Sequence, residues 1–198
     1  MSDKVMPETV LDFWLGDLTP QDWYAVDPAL DARIRERFLP TWERLHEGGK
    51  QGWLTGCVGS LAYIIVADQF PRNMFRDDPR AFATDDRARA AARRAIEEGW
   101  DMTAPEPDRQ FFYLPFMHSE AAADQALCCR LIGERMPETG ESNLLHARAH
   151  EEVIRRFGRF PHRNDALGRD TSTEERAFLE TGGYGAVVRR LQTDEQAH

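Results

Sequence analysis

The sequence predicts an all-helical protein. Apolar residues recur every three to four positions along most of the chain, which is the spacing of the buried face of a helix. Proline and glycine stand where these segments begin and end, and no segment combines strand-like alternation with hairpin turn residues. The intervening loops are mostly short, which favours antiparallel helix neighbours. Because neither a linker nor a change of composition interrupts the chain, we expect one helical domain over residues 1–198.

The predicted helices are bounded by recognisable start and stop signals. Asp27 precedes Pro28, a combination that places an N-cap before proline at the first helical position. Thr171 and Glu174 have the spacing of a capping box, and Pro40 ends or kinks the helix in which it falls. Helices are predicted to begin at Pro7, at Pro28 and near Ser119, to follow Thr171, and to cover residues 55–69, 84–98 and 142–157. The last few residues are expected to be disordered.

The charge of the chain excludes several classes of partner. Acidic residues outnumber basic ones by 34 to 25, giving a formal net charge of −9. Such a balance disfavours non-specific binding to nucleic acid or to an anionic membrane. The longest apolar stretch, residues 61–67, is too short to span a bilayer. We therefore expect neither a nucleic acid nor a membrane as partner.

The cysteines and the N-terminus indicate a cytoplasmic location. There are three cysteines, two of them adjacent (Cys128 and Cys129), and adjacent cysteines rarely form an unstrained disulfide. A sparse, odd count of this kind suits a reducing compartment. The N-terminal segment has no charged region leading into an apolar run, so no secretion signal is expected.

Two histidines one helical turn apart are the first candidate site. His146 and His150 share a face with Val153 and Phe157, so both lie within an apolar stripe. Such a pair can bind a metal, or it can be a pair of hydrogen-bonded core histidines, which is the interpretation we favour because buried imidazoles readily find partners. We expect both rings to be largely buried and to face His118 or Glu120.

Carboxylates extend the apolar stripe of the helix predicted from Ser119. Glu120 and Asp124 lie on the same face as the apolar residues that follow them. Acidic residues in a first turn often only stabilise the helix dipole. A carboxylate paired with a histidine such as His118 can also perform acid–base chemistry, because each group shifts the pKa of the other.

An arginine-rich segment is the third candidate. Residues 155–164 contain four arginines and a histidine, and they include the motif Phe160-Pro161-His162-Arg163-Asn164. A similar motif, Phe70-Pro71-Arg72-Asn73, is predicted to form the exit loop of an earlier helix. Arginines there can bind a phosphate or a carboxylate, or they can stabilise the C-terminal end of a helix. If the two motifs share a role, Arg72 and Arg163 converge on one anion.

Motifs for common cofactors are absent from the sequence. The chain lacks the glycine-rich phosphate loop, the dinucleotide-binding fingerprint, the paired-histidine zinc motif and the serine nucleophile motif. Only one pair of histidines is local, and no thiolate is suitably spaced beside it. We therefore expect no cofactor and no stoichiometric zinc.

Four longer motifs resemble one known family. They are DFWLG near Phe13, DQFPRNMFR at residues 68–76, FFYLPFMHSE at residues 111–120, and HARAHEEVIRRFGRFPHRNDALGRDTSTEE at residues 146–175. Together they are similar to the mainly bacterial family called domain of unknown function 924, over almost the whole chain. The resemblance implies an all-α fold of the tetratricopeptide-like type, a right-handed superhelix of antiparallel helices. It implies no activity.

These observations lead to three hypotheses of function. The first is a cleft that binds a small anionic molecule, with acid–base chemistry by His118, Glu120 and His150. The ligand-binding residues would be Asp68, Arg72, Asn73, His146, His162, Arg163 and Asn164. The second is a scaffold that binds a peptide or protein, as helical repeats commonly do. The third is a metal-dependent hydrolase that uses the histidines and carboxylates. The sequence leaves open whether the protein is an enzyme, and in which oligomeric state it exists.

Overall fold

A computed structural model describes residues 4–196, and every element of regular structure within that range is helical. This confirms the predicted fold class. The ten α-helices in the range are α1 (Pro7–Leu11), α2 (Pro28–His46), α3 (Cys57–Ile64), α4 (Phe70–Met74), α5 (Asp85–Glu97), α6 (Leu114–Met117), α7 (Ala122–Arg135), α8 (Glu141–Phe157), α9 (Thr173–Glu180) and α10 (Gly183–Gln196). The disorder expected at the C-terminus concerns in part residues 197–198, which lie outside the described residues.

Shorter helical segments connect these helices. Two are π-helical turns, Asp12–Gly16 and Ile65–Gln69. The 3-10 turns are Asp22–Tyr24, Gln51–Trp53, Pro79–Phe82, Trp100–Thr103, Asp108–Phe112 and Pro161–Arg163. Across the described range, the helices are too short or too polar for any of them to cross a membrane.

The chain divides into two compact units, unit 1 up to residue 115 and unit 2 from residue 116. In unit 1, α2 packs on α4, and α3 packs on both α1 and α5. In unit 2, α8 packs on α7 and α10. The single domain and the tetratricopeptide-like superhelix expected from the sequence stay predictions.

Helix α2 begins at its predicted cap. The Oδ1 atom of Asp27 accepts a hydrogen bond from the backbone N of Ala29 at 2.8 Å, and Pro28 occupies the first turn. Pro40 does not end the helix, which continues to His46. Proline leaves the carbonyl of Glu36 without its helical donor, but both residues are exposed, so water can satisfy that carbonyl.

The helical path from α3 to α4 is continuous and differs from the prediction. Residues 70–73 were expected to form an exit loop, but Phe70–Met74 is helical. Pro71 lies in the first turn of α4, and the carbonyl of Ala67, which would accept from its N–H in a regular helix, accepts from the Thr84 hydroxyl. The π-helical turn Ile65–Gln69 directly precedes α4, so that no loop separates α3 from α4. The expectation of a loop at this position is therefore wrong.

Aromatic rings fill the core of unit 1. The Phe70 ring lies 4.7 Å from the ring centroid of Phe38 and 5.5 Å from that of Trp14. Trp14 in turn contacts Phe111 edge-on, at 6.1 Å between ring centroids. These rings are almost completely buried, and their tilted or edge-on arrangements are those that aromatic quadrupoles favour. They anchor the first π-helical turn, α2 and α4 to one another.

The core of unit 2 is aliphatic and aromatic, and it borders the candidate site. Its buried members are Leu145, Ala149, Val153, Ile154, Phe160, Phe178, Val187 and Val188, with Phe157, Tyr184 and Leu191 packed against them. Helix α8 supplies the first four of these residues. Val153 belongs to the predicted stripe and Phe157 packs against the core, whereas His146 and His150, predicted to be largely buried, are only partly buried. Its bounds, Glu141–Phe157, match the predicted ones within one residue.

Two predicted helix starts in unit 2 shift by a few residues. The capping box pairs Ser172 with Glu175, one position beyond the predicted pair of Thr171 and Glu174, because both pairs fit the same spacing. Helix α7 begins at Ala122 rather than near Ser119. The Ser119 hydroxyl instead accepts a hydrogen bond from the backbone N of Ala121, which holds the preceding segment outside the helix.

Candidate functional site

Unit 2 contains a small pocket between α8, α9, α10 and the segment that follows α8. Its volume is about 260 Å³. The lining residues are His150, Val153, Phe160, His162, Phe178, Leu179 and Tyr184. Four of them are apolar, and the other three each present a ring with a polar atom. The pocket is therefore an apolar cavity with a few polar groups, which is the usual character of a small-molecule site.

Helix α8 carries the two predicted histidines to this region, and both are partly buried. The Nδ1 atom of His146 makes a short hydrogen bond with the Tyr184 hydroxyl. The two rings stack with their centroids 5.9 Å apart. Burial lowers the pKa of His146 below its ordinary value of 6.5. His146 thus pairs with Tyr184 rather than with His118 or Glu120, and it positions that tyrosine at the pocket.

The hydrogen bond of His150 fixes the state of its ring. Its Nδ1 atom lies 2.8 Å from the backbone oxygen of His146, and a carbonyl oxygen can only accept, so Nδ1 carries the proton. In the neutral ring Nε2 is then a lone-pair acceptor on the opposite side. Among the described residues, the bond to His146 is the one hydrogen bond that this ring makes. His150 therefore presents an unengaged nitrogen.

Burial and neighbouring charge keep His150 neutral. Its pKa is lowered to about 3, mainly because burial disfavours the charged ring, although the hydrogen bond to His146 opposes this shift. His118, Arg163 and His162 lower the pKa further through their positive charges. The rings of His118 and His150 meet edge-on at 6.4 Å between centroids. Three basic residues therefore act on the His150 ring.

Arg163 is buried beside the pocket, with 6% of its surface exposed. Its Nη2 atom donates to the backbone oxygen of His118 at 3.0 Å. Its guanidinium carbon lies 4.5 Å from the centroid of the Phe160 ring, within the range of a cation–π interaction. Phe160 in turn contacts His150 edge-on at 5.3 Å. Arg163 therefore supplies a permanent charge behind the wall of the pocket.

Glu120 is bound in an ion pair within unit 2. Its Oε2 and Oε1 atoms accept hydrogen bonds from the Nη1 and Nη2 atoms of Arg169 at 2.8 and 3.1 Å. The Oε1 atom also accepts from the backbone N of Phe160 at 2.8 Å. Burial raises the pKa of Glu120, but these hydrogen bonds and the charges of Arg169 and Arg163 outweigh it, so that the pKa is lowered overall. Glu120 is thus an ionised carboxylate that holds the backbone at Phe160.

A second carboxylate fixes the far end of the same segment. Both oxygens of Glu175 accept from Arg159, at 2.6 and 2.9 Å, and Oε2 also accepts from the backbone N of Ser172 at 2.7 Å. Asn164 is fully buried and connects the two ion pairs, because its Oδ1 accepts from Arg169 and its Nδ2 lies 3.4 Å from Glu175. The network fixes residues 159–175 around the pocket.

The remaining predicted site residues lie in unit 1. Arg72 donates to both oxygens of Asp85, at 3.0 and 3.1 Å, and to the backbone oxygen of Asp68 at 2.7 Å. The Nδ2 atom of Asn73 donates to Asp31 at 2.8 Å. Asp68 is fully buried beside Arg72. These contacts fit the structural role that the sequence left open for Arg72, while its convergence with Arg163 on one anion stays a prediction.

Sequence reasoning identified two of the residues that line the pocket, His150 and His162, and missed the rest. Tyr184 is the main polar omission. It lies in the first turn of α10, just after Gly182 and Gly183, both of which have positive φ angles. Its phenolic hydroxyl was the available signal, since a buried tyrosine hydroxyl usually finds a hydrogen-bond partner.

The described residues show no cluster of histidine, cysteine or carboxylate side chains that could hold a metal. The three cysteines in this part of the chain are free and form no disulfide. Burial raises the pKa of Cys129 to about 12, and the nearby Glu151 adds to the shift. Such a thiol stays protonated at neutral pH and is a poor nucleophile.

The fold and the site together define an all-helical protein with a small, mainly apolar pocket in its C-terminal unit. The model of the family described as bacterial protein of unknown function (DUF924) matches residues 10–183, so the chain belongs to this family. A solved structure of a protein of unknown function from Agrobacterium tumefaciens is 41% identical, with a TM-score of 0.83. The match covers 89% of this chain and 97% of that one. No curated protein matches the chain significantly.

Proposed function

We propose that unit 2 binds a small anionic molecule in the pocket beside His150. The observation that carries the proposal is the Nε2 atom of His150, which is unengaged and lies on a ring that lines a cavity of about 260 Å³. The charged groups that act on this ring, His118, Arg163 and His162, are all cationic when they are charged. An anion would be attracted by the positive potential of these groups.

The walls of the pocket limit the size and character of this ligand. Drug-sized molecules usually occupy sites of about 300–1,000 Å³, so a pocket of about 260 Å³ suits a smaller molecule. Val153, Phe160, Phe178 and Leu179 offer contacts to an apolar body. A bare inorganic ion would have no apolar body to contact these walls, and its oxygens would lack hydrogen-bond donors.

The proposal assigns different roles to the polar residues. His150 and Tyr184 contact the ligand, while Arg163 supplies charge from behind the wall. Glu120 is a positioning residue, because Arg169 and the backbone N of Phe160 occupy its carboxylate. Proton transfer by His150 is disfavoured, since a pKa of about 3 is far from the neutral value that suits a general base.

We further propose a cytoplasmic location and a small molecule, rather than a nucleic acid or a membrane, as the partner. The sparse, odd number of cysteines and a net charge of −9 support this assignment.

Calorimetric titration of the full chain tests the proposal. The probes are acetate, butyrate, benzoate, sulfate and inorganic phosphate, and at least one of them should bind with a dissociation constant below about 10 mM, the range expected of fragment-sized ligands. His150→Phe preserves the ring and removes its nitrogens, and it should weaken that binding at least tenfold. Arg155→Ala, an exposed position on the same helix, should leave it unchanged within twofold. Absence of binding by all five anions, or equal binding by the His150 variant, contradicts the proposal.

A further inference from the structure

We infer that the ligand of the His150 pocket is a monocarboxylic acid with a compact apolar body, and that it binds together with one proton taken from solution. This inference rests on the function proposed above. It follows from the hydrogen-bonding state of His150 and from the composition of the pocket walls.

The Nε2 atom of His150 and a carboxylate oxygen are both hydrogen-bond acceptors. Because Nδ1 of His150 donates to the backbone oxygen of His146, Nε2 of the neutral ring can only accept. A carboxylate oxygen also only accepts, so the two atoms repel unless a proton lies between them. A complex of one carboxylate, one neutral His150 and one solvent proton satisfies both atoms. The proton can reside on the carboxyl group or on Nε2, and the overall balance is the same.

Protonation of His150 is unfavourable without a ligand. The ring alone resists protonation because it is buried and because His118, Arg163 and His162 add positive charge around it. Tyr184, on α10, also faces the ring. The carboxylate of Glu120 lies on the far side of Phe160, where it is bound by Arg169 and by the backbone N of Phe160. A bound carboxylate would add a negative charge on the pocket side of the ring. Proton uptake therefore accompanies the ligand and does not precede it.

The pocket should bind carboxylates more tightly than phosphate or sulfate. Three of the seven lining residues have polar side-chain atoms, His150, His162 and Tyr184. Two carboxylate oxygens can be satisfied by so few groups, whereas four oxygens of a larger anion would leave some buried without donors, which is unfavourable. Sulfate is also the anion of a strong acid, so the proton would have to reside on Nε2, where burial and the neighbouring cations disfavour it. The apolar walls then select a hydrocarbon body.

Calorimetric titration at several pH values tests the inference. Benzoate is the probe, and sulfate and neutral benzamide are its comparisons. Benzamide has the same shape and carries its own N–H donor, so its affinity should not depend on pH. Titrations in bis-Tris and in PIPES, which differ in ionisation heat, should show uptake of about one proton per benzoate. The affinity for benzoate should fall about tenfold for each unit of rising pH, as linkage requires, and sulfate should bind at least tenfold more weakly than benzoate at pH 6.

The outcomes distinguish this inference from the proposed function. If benzoate binds without proton uptake, or if sulfate binds as tightly as benzoate, the inference that the ligand is a carboxylic acid is wrong. The proposed anion site is not contradicted by either result. Benzamide that binds more tightly than benzoate at pH 6 overturns the choice of an acid as ligand. Failure of every anion to bind removes the proposed function itself.

A measurement on the unmutated protein removes dependence on the folding of variants. The ¹⁵N chemical shifts of the His150 ring should show a protonated Nδ1 and an unprotonated Nε2 without ligand. On addition of benzoate, the Nε2 shift should move toward the protonated value while that of Nδ1 changes little. An Nε2 shift that does not respond to saturating benzoate contradicts the inference.

Discussion

Replacement of Thr84 by valine tests how the helix through α3 and α4 tolerates its internal proline. In a regular helix the carbonyl of Ala67 would accept from the residue four positions later, which is Pro71 and has no N–H. The Thr84 hydroxyl donates to this carbonyl at 2.6 Å and accepts from Nε1 of Trp42 at 3.1 Å. Thr84 and Ala67 are completely buried, and Trp42 is nearly so.

Valine has almost the same shape as threonine but neither donates nor accepts. Thr84→Val therefore removes the partner of two buried groups, each of which costs about 1–3 kcal/mol when left unsatisfied. Because valine buries more apolar surface, we expect a net loss of about 3 kcal/mol in the free energy of unfolding. For a chain of this length, that loss lowers the melting temperature by roughly 6–12 °C.

Urea unfolding followed by circular dichroism and by tryptophan fluorescence measures this change. Thr84→Ser is the matched control, because it keeps the hydroxyl and loses one methyl group, at a cost of about 1 kcal/mol. If the valine variant unfolds within about 0.5 kcal/mol of the parent chain, the hydroxyl does not compensate for Pro71 and the reasoning fails.

Three further predictions concern stability. Gly59→Ala should lower the free energy of unfolding by at least about 2 kcal/mol, because its Cβ atom would lie 2.0 Å from the backbone oxygen of Trp53. Gly52→Ala, with open space around it, should lower it by less than about 0.5 kcal/mol. Ser172→Ala should cost about 1 kcal/mol by removing the cap of α9. Hydrogen bonds from Arg159 lower the pKa of Glu175 to about 2. Its ionised carboxylate therefore stabilises the fold fully above the unfolded value of about 4.5, and this contribution is lost as the pH falls toward 2.

A substitution at a nearby position is the control for each of these predictions. Equal losses for alanine at positions 59 and 52 would show that the contact with Trp53 does not matter. Thr173→Ala, at an exposed site beside Ser172, should have almost no effect on thermal unfolding. Glu175→Gln should flatten the fall of unfolding free energy between pH 4.5 and 2, whereas the exposed Glu174→Gln should preserve it. An unchanged acid profile in the Glu175 variant would assign the pH dependence elsewhere.

The fold class and most helix bounds could be predicted because they depend on local signals. The cap at Asp27 and the apolar stripe of α8 are encoded within a few residues and a single period. The path through Pro71 could not be predicted in this way. The carbonyl of Ala67 accepts from a hydroxyl thirteen residues beyond Pro71, at Thr84, and the π-helical turn before α4 is specified by no local pattern.

The candidate site was predictable only on its α8 side. The spacing of His146 and His150 showed that both rings lie within the apolar stripe. It could not show which partner each ring meets, because Tyr184 comes from another helix, 38 residues beyond His146. The state of His150 likewise follows from one backbone contact, which residue types do not reveal.

The two Phe-Pro motifs illustrate the difference between a shared sequence and a shared role. In unit 1 the motif is helical, and the fork of Arg72 is bound by the carboxylate of Asp85 from the start of α5. In unit 2 the motif follows Gly158, whose positive φ ends α8, and Arg163 contacts a backbone oxygen and an aromatic ring. An arginine whose charge is already balanced by a buried carboxylate exerts little attraction on a further anion. Because carboxylates compensate Arg72 directly, its guanidinium is already engaged within unit 1, and the same Phe-Pro motif has a different environment in each unit.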